Sequence, residues 1–501
     1  MRLHTLRELD QTEGTHICFF AVCAFTFLTN YAIGGLAPAF FILSKEFGKS
    51  MTETSDLLLW PVLVLGLFNF FWVPLANYFG KRPVFVCATL VLCVAYIWGA
   101  FAHSFESLLW SNILAAAAGS STEALGAATV NDLYFLHERG SKMGLYMSSI
   151  SGGNTIGPLV CGFVVETIGW RWHKGIAAIA VGINFLLVVF FVPETSYDRE
   201  SVQSSSSPPI ASSGAGKSGI NDEEAVPEKN IDAAGHEVAG SPRSSTVQLP
   251  VPKKTFMQEL SLLSGGSDSS IPLWKLFIRP FPLIVYPAII FAFLGYAVSL
   301  AWTVAINILN SFILQAPPYS FSPAINGLIN IPGLLGNLVG AWCGGWLVDR
   351  FADWRSKKHG GIFRPESRLP LLIIPAVIVP AGCILFGYGV ERSLSWVSLF
   401  FGYGMISVGL TAVPVPTMVY VSDCYLPVAA DALVLVNGLK NIVAFGFLYG
   451  IVPWVDRVGY IDCFGTQAGV YVAIVVLGAV PLILFGEKIR HTTAKWRVIL
   501  F

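Results

Sequence analysis

At 501 residues the chain has the length of several soluble domains, but 54% hydrophobic against 12% charged residues leaves too little polar surface to cover them. Thirty-one basic side chains balance thirty-one acidic ones, so no net field exists to draw nucleic acid or to plate the protein onto an anionic surface. Nine cysteines show no CxxC pair and no zinc-type spacing, which leaves neither a metal site nor a cofactor to expect.

A membrane-crossing helix needs about 20 mostly apolar residues. Residues 1–15 are polar and read as a tail. The apolar run behind them is too long for the core of a cleavable leader, so it is expected to stay in the mature protein. Six spans are expected in the first half (16–193), near 17–43, 57–78, 84–102, 108–130, 143–165 and 175–192. Residues 194–280, rich in Ser and Pro with mixed charge, cannot bury enough surface to fold and read as a disordered linker. A second set of six (281–487) is expected near 281–314, 324–348, 369–390, 396–421, 432–455 and 469–485, before a tail at 488–501. The fold class is therefore an all-α membrane protein of 12 transmembrane helices in two pseudo-symmetric six-helix bundles.

An even count puts both termini on one side. Sixteen Lys and Arg fall in the tails and short loops of that side, against six on the other (Lys45, Lys49, Arg171, Lys174, Arg392, Arg457), which predicts cytosolic termini. The halves echo one another: VPLANYFGKRP after the second span aligns with GWLVDRFADWR after the eighth. Repeated halves around a central site are how many secondary transporters alternate access.

The fifth span carries SSISGGNTIGPLVCG, residues 148–162. Ser149, Gly153, Gly157 and Cys161 share one helical face, and Gly336, Gly340 and Gly344 repeat the four-residue interval on the eighth span. Small faces let helix backbones approach closely in lipid, so these two helices are expected to pair across the boundary between halves. Pro158 should bend the fifth.

Ionisable groups inside spans are costly and point to function. Glu123 in the fourth span and Lys440 in the eleventh are the two that stand out. Burial favours a neutral acid and a nearby cation favours the carboxylate, so Glu123 is expected to take and release a proton as Lys440 approaches or leaves. A static ion pair is the competing reading. GAGKS at 214–218 lacks the earlier glycine of a phosphate-binding loop, and His137 beside Glu138 fits a loop contact better than catalysis, so no enzyme is expected.

The loop after the second span resembles the signature of the major facilitator superfamily at Leu75, Gly80, Lys81 and Arg82. It departs from that signature at Val73, Asn77 and Tyr78. In the second half Gly345, Asp349 and Arg350 match it. The fifth span resembles the antiporter motif of the fungal twelve-span drug:proton antiporter group at Gly144, Gly153, Gly157, Pro158 and Gly162, with Cys161 replacing a glycine; Ala115 stands where an arginine is common. NDLYFLHERGSKMGLY, GWRW, PET, RPESRL and YVSDCYLP are further likenesses. The resemblance implies a monomeric plasma-membrane exporter that exchanges small amphipathic compounds for protons. Facilitated or inward transport and a non-pumping receptor are alternatives. It also implies that spans one, four, seven and ten line the cavity, nominating Asn30, Tyr31, Trp302, Asn307, Tyr403 and Met405, with Asn441 and Phe445 beside Lys440.

Overall fold

The computed structural model describes residues 2–134, 136–192, 273–358, 360, 364–425, 428–493 and 495–496, and every regular element among them is helical. Among the described residues eleven helices are long and apolar enough to cross a membrane. The remaining span is α6 (Leu136–Thr167), 32 residues long, whose run of Ser and Gly lowers its hydropathy without shortening it. The first bundle continues with α3 (Met51–Phe79), α4 (Lys81–Ala100), α5 (Phe105–Leu133) and α7 (Trp170–Phe191). Local chemistry sets these boundaries. Ser50 and Glu53 form a reciprocal capping box at the start of span two. Gly169, at φ +93°, turns the chain between spans five and six in a conformation other residues resist.

Span one is expected as one helix but is interrupted. α1 (Arg2–Gly34) gives way to a 3₁₀ turn, Ala37–Ala39, and then to α2 (Phe40–Phe47). Gly34, Gly35 and Pro38 are poor helix formers set together, and the ladder stops there. α1 also starts at Arg2, inside the stretch expected as a tail.

The linker expected at 194–280 lies outside the described residues up to 272. Its last residues form α8 (Leu273–Ile278), whose Phe277 ring stands 6.1 Å from Phe71 of span two. Behind it come α9 (Pro287–Leu314), the span-eight pieces α10 (Pro323–Gly327), α11 (Asn330–Ala341) and α12 (Val348–Lys358), and α13 (Ile373–Glu391). Span ten is α14 (Trp396–Ala412) with α15 (Pro414–Cys424), span eleven begins as α16 (Ala429–Tyr449), and α17 (Ile451–Thr493) holds span twelve beyond a turn at Gly459.

The two halves pack alike. Spans one and five, two and four, three and four, and three and six touch in the first half; seven and eleven, eight and ten, nine and ten, and nine and twelve touch in the second. Each pair is the six-helix shift of the other. Outer faces are apolar and exposed at helical spacing, as in Ile176, Ile179, Ile183, Leu186 and Phe190 of span six, the pattern of a surface bathed in lipid.

Two seams join the bundles, span two against eleven and span five against eight. The small faces expected to form the second seam do not meet each other. A Cβ on Gly153 would lie 2.5 Å from Phe27 O and one on Gly157 2.3 Å from Tyr31 O, so that face packs on span one. Ser149 Oγ donates to Leu145 O of its own helix at 3.1 Å, and Cys161 is fully buried. On span eight, Gly336, Gly340 and Gly344 pack on Gly404, Val408 and Ala412 of span ten. Spans five and eight meet instead at Gly162, where a Cβ would reach 2.5 Å from Pro323 O, and at Gly327 beneath the carbonyls of Pro158 and Leu159. Gly144 has no neighbour within 4 Å of a built Cβ. The helix partners follow expectation and the glycines that touch do not: four-residue spacing marks a small face, while the bundle already needs that face to seat its own neighbours.

Candidate functional site

Glu123 stands ten residues from Leu133, the end of α5, and Lys440 eleven from Ala429, the start of α16. At about 1.5 Å per residue both sit about 15 Å inside the face that carries the termini. The two side chains meet across the bundles, Lys440 Nζ 3.1 Å from Glu123 Oε2, with 2% and 4% of their side-chain surfaces exposed. Asn441 Nδ2 donates to the same carboxylate oxygen at 3.0 Å, and Asn437 Nδ2 donates to Glu123 O at 3.1 Å. The Tyr296 ring of span seven lies 4.1 Å from the ammonium. A buried pair of this kind holds only where further contacts complete it, and here Asn441 of span eleven supplies a hydrogen bond to the carboxylate and Tyr296 of span seven a ring face to the ammonium. Sequence reasoning found Glu123, Lys440 and Asn441 but missed Asn437 and Tyr296. Asn437 and Asn441 share a face one turn apart, the signal that was there to find.

A second polar group lies in the other half of the membrane. Tyr403 OH is 3.1 Å from Asn307 Oδ1 and 3.3 Å from Asn330 Oδ1, tying spans ten, seven and eight. Trp302, on span seven, is buried with its ring 5.3 Å from Phe447. In the first bundle Asn154 Nδ2 donates to Asn30 Oδ1 at 3.3 Å, and Tyr31 stacks on His173 at 4.9 Å. Asn330 and Asn154, on spans eight and five, were not nominated. Two nominated wall residues stand elsewhere. Met405 faces span nine, its Cβ 2.7 Å from where a Cβ on Gly382 would lie, and Phe445 packs on Trp60 at the seam with span two, ring centres 5.6 Å apart.

The loop signatures sit at the helix ends on the face of the termini. Leu75 is half-buried in span two, Gly80 turns the chain at φ +96°, Lys81 begins α4, and buried Arg82 donates from Nη2 to Val189 O at 2.9 Å. In the second half Asp349 pairs with Arg368, which also meets Asp423 at 3.3 Å, while Arg350 lies over the Trp346 ring and Gly345 has open space around it. Glu366 accepts from Arg490 at 2.8 Å.

The bundles also touch at the opposite face. Gln315 Nε2 donates to Pro38 O at 2.7 Å, the rings of Phe41 and Phe312 lie 6.3 Å apart, and Ala324 N donates to Glu166 Oε2 at 3.0 Å. With the Glu123–Lys440 pair joining the bundles on the side of the termini and these contacts joining them on the other, and with Asn30, Tyr31, Trp302, Asn307, Tyr403 and Asn441 all buried, the arrangement is closed toward both sides. Among the described residues no cluster of three His, Cys, Asp or Glu could hold a metal.

A family model described as Major Facilitator Superfamily matches residues 20–446. An uncharacterized MFS-type transporter of Schizosaccharomyces pombe is 25% identical, covering 95% of this chain and 84% of its own. The MFS antiporter QDR3 of Candida albicans is 24% identical over 82% of this chain and 69% of its own. A probable efflux pump of Aspergillus flavus, mfs2, is 24% identical over 85% and 91%.

Proposed function

This chain belongs to the major facilitator superfamily of membrane transporters, and on that premise we propose that it exports small amphipathic organic compounds in exchange for protons. The observation that carries the proposal is the buried pair of Glu123 and Lys440, one partner from each bundle. A proton arriving on Glu123 removes the charge that Lys440 pairs with, and the seam between spans four and eleven loosens. Loss of that proton on the cytosolic side restores the pair. Coupled to the gates at the two faces, this cycle exposes the aromatic and amide groups between them to each side by turns.

Relatives named as an antiporter and as a probable efflux pump support the direction. Asn30, Tyr31, Trp302, Asn307 and Tyr403 suit a partly polar, largely apolar ligand. We place the termini in the cytosol from the distribution of Lys and Arg, and the protein in the plasma membrane as a monomer.

The test is flux into proteoliposomes of purified protein against a panel of amphipathic drugs, polyamines and secondary metabolites, with and without an imposed pH gradient. Accumulation that needs the gradient supports proton exchange. Equilibration that ignores it identifies a facilitator, and no flux of any compound counts against an exporter of this substrate class.

A further inference from the structure

Lys174 is a buried cation that takes no part in the pair of Glu123 and Lys440. Counted from the sequence as a loop charge, it lies in the second turn of span six, because α7 starts at Trp170, and only 1% of it is exposed. An ionisable residue so placed calls for a role and a partner. Among the described residues its partners are neutral: Nζ donates to Asn112 Oδ1 at 2.7 Å and to Ala32 O at 2.8 Å, and stands 5.3 Å from the centre of the Tyr96 ring.

Ala32 is where the ammonium matters. α1 stops at Gly34, so Ala32 O is among the last four carbonyls of that helix and has no intrahelical donor. Within a bilayer no water replaces the missing bond. A lysine ammonium supplies it and complements the negative end of the helix dipole. The neighbouring clamps converge on the same turn. Tyr96 OH donates to Thr29 O at 3.0 Å, His173 stacks on Tyr31, and a Cβ at Gly35 would lie 2.6 Å from His173 Nε2. On one side of the held end stand Asn30 and Tyr31; on the other stands Pro38, whose carbonyl meets Gln315 of the opposite bundle.

We propose that Lys174 is a positioning residue of the substrate site: by holding the broken end of span one at Ala32 O, it sets where Asn30 and Tyr31 stand toward the substrate. The proposal rests on the transporter reading above, and its experiment is divided so that the two can fail separately.

Lys174→Met keeps the length of the stem and removes the donors. Hydrogen exchange of the full-length protein in detergent, read over the peptide spanning residues 32–40, needs no substrate. There Lys174→Met is expected to speed exchange about tenfold or more, the factor one lost hydrogen bond to a charged group carries. Rhodamine 6G flux in proteoliposomes should show an apparent KM raised by about the same factor with the maximal rate nearly unchanged, a split that general loosening of the fold does not produce. Wild-type exchange at 32–40 in the variant, or faster exchange with an unaltered KM, overturns the proposal. If wild-type protein carries no rhodamine 6G, the exporter reading loses that support and the exchange result still decides whether Lys174 holds the break. Should Lys174→Met fail to fold, Asn112→Ala, which strips one acceptor from the ammonium, is read the same way: faster exchange at 32–40 supports the hold and unchanged exchange overturns it.

Discussion

Lys440 Nζ of span eleven lies 3.1 Å from Glu123 Oε2 of span four, and the bundles that carry them share no other span pairing so deep in the membrane with full charges on both sides among the described residues. Such a pair is more a switch than a rivet. Two desolvated charges contribute little net stability when together, yet either one left alone is costly.

Lys440→Met is therefore expected to destabilise the purified protein by about 3–5 kcal/mol, because Glu123 stays behind as a buried unpaired carboxylate. Glu123→Gln combined with Lys440→Met removes both charges and should recover most of that loss. Chemical unfolding of the two single variants and the double variant, taken as a cycle, measures it. Additive losses would mean that the two side chains do not pair in the membrane.

The glycines of span five separate into those with room and those without. A Cβ at Gly157 would press to 2.3 Å from Tyr31 O, a backbone atom that can yield only by shifting span one. Gly157→Ala should cost about 1–3 kcal/mol. Gly144 has open space, so Gly144→Ala should be neutral or mildly stabilising through helix propensity. Thermal unfolding in detergent distinguishes them, and equal effects would contradict the packing described.

At the face opposite the termini, Gln315 Nε2 closes on Pro38 O at 2.7 Å. Gln315→Ala removes one hydrogen bond that only the closed arrangement makes, worth about 1 kcal/mol, or roughly a fivefold shift toward opening at that face. Spin-label distances between spans one and seven report it as growth of the longer population. An unchanged distribution would remove this contact from the gate.

The face of the termini holds a matching contact that the linker supplies. Arg279 Nε lies 2.8 Å from Asp431 Oδ2, and the ring of Phe281 lies 4.9 Å from that of Phe70 on span two. Arg279→Ala should widen spin-label distances between spans two and eleven while leaving those between one and seven in place. Equal widening at both faces would mean that the bundles loosen as a whole.

Much of the architecture was legible in the residues, because lipid demands about 20 apolar residues per crossing and the chain marks each crossing in turn. Glu123 and Lys440 were visible for the same reason, being isolated charges in apolar runs. Their meeting was not visible, since it depends on how spans four and eleven are packed. The glycine runs of spans five and eight showed that something approaches closely without saying what. Each bundle uses them for its own neighbours, spans one and ten, and leaves Gly162 and Gly327 to the seam. Lys174 was read as a loop charge because a cation two residues past GWRW looks like the end of a loop. The turn at Gly169 instead starts the helix at Trp170 and carries the lysine inward. The break in span one was written as Gly34, Gly35 and Pro38, yet glycine and proline are ordinary in membrane helices and do not announce which of them interrupt one.

In the exchange proposed above, Glu123 carries the proton whose movement works the bundles. Substrate accumulation in proteoliposomes under an imposed pH gradient, comparing wild type with Glu123→Gln for any compound the wild type concentrates, decides that role. The variant is expected to exchange labelled substrate down its gradient but no longer to accumulate it. A Glu123→Gln protein that concentrates substrate as wild type does, driven by the same pH gradient, would mean that Glu123 does not carry the coupling proton.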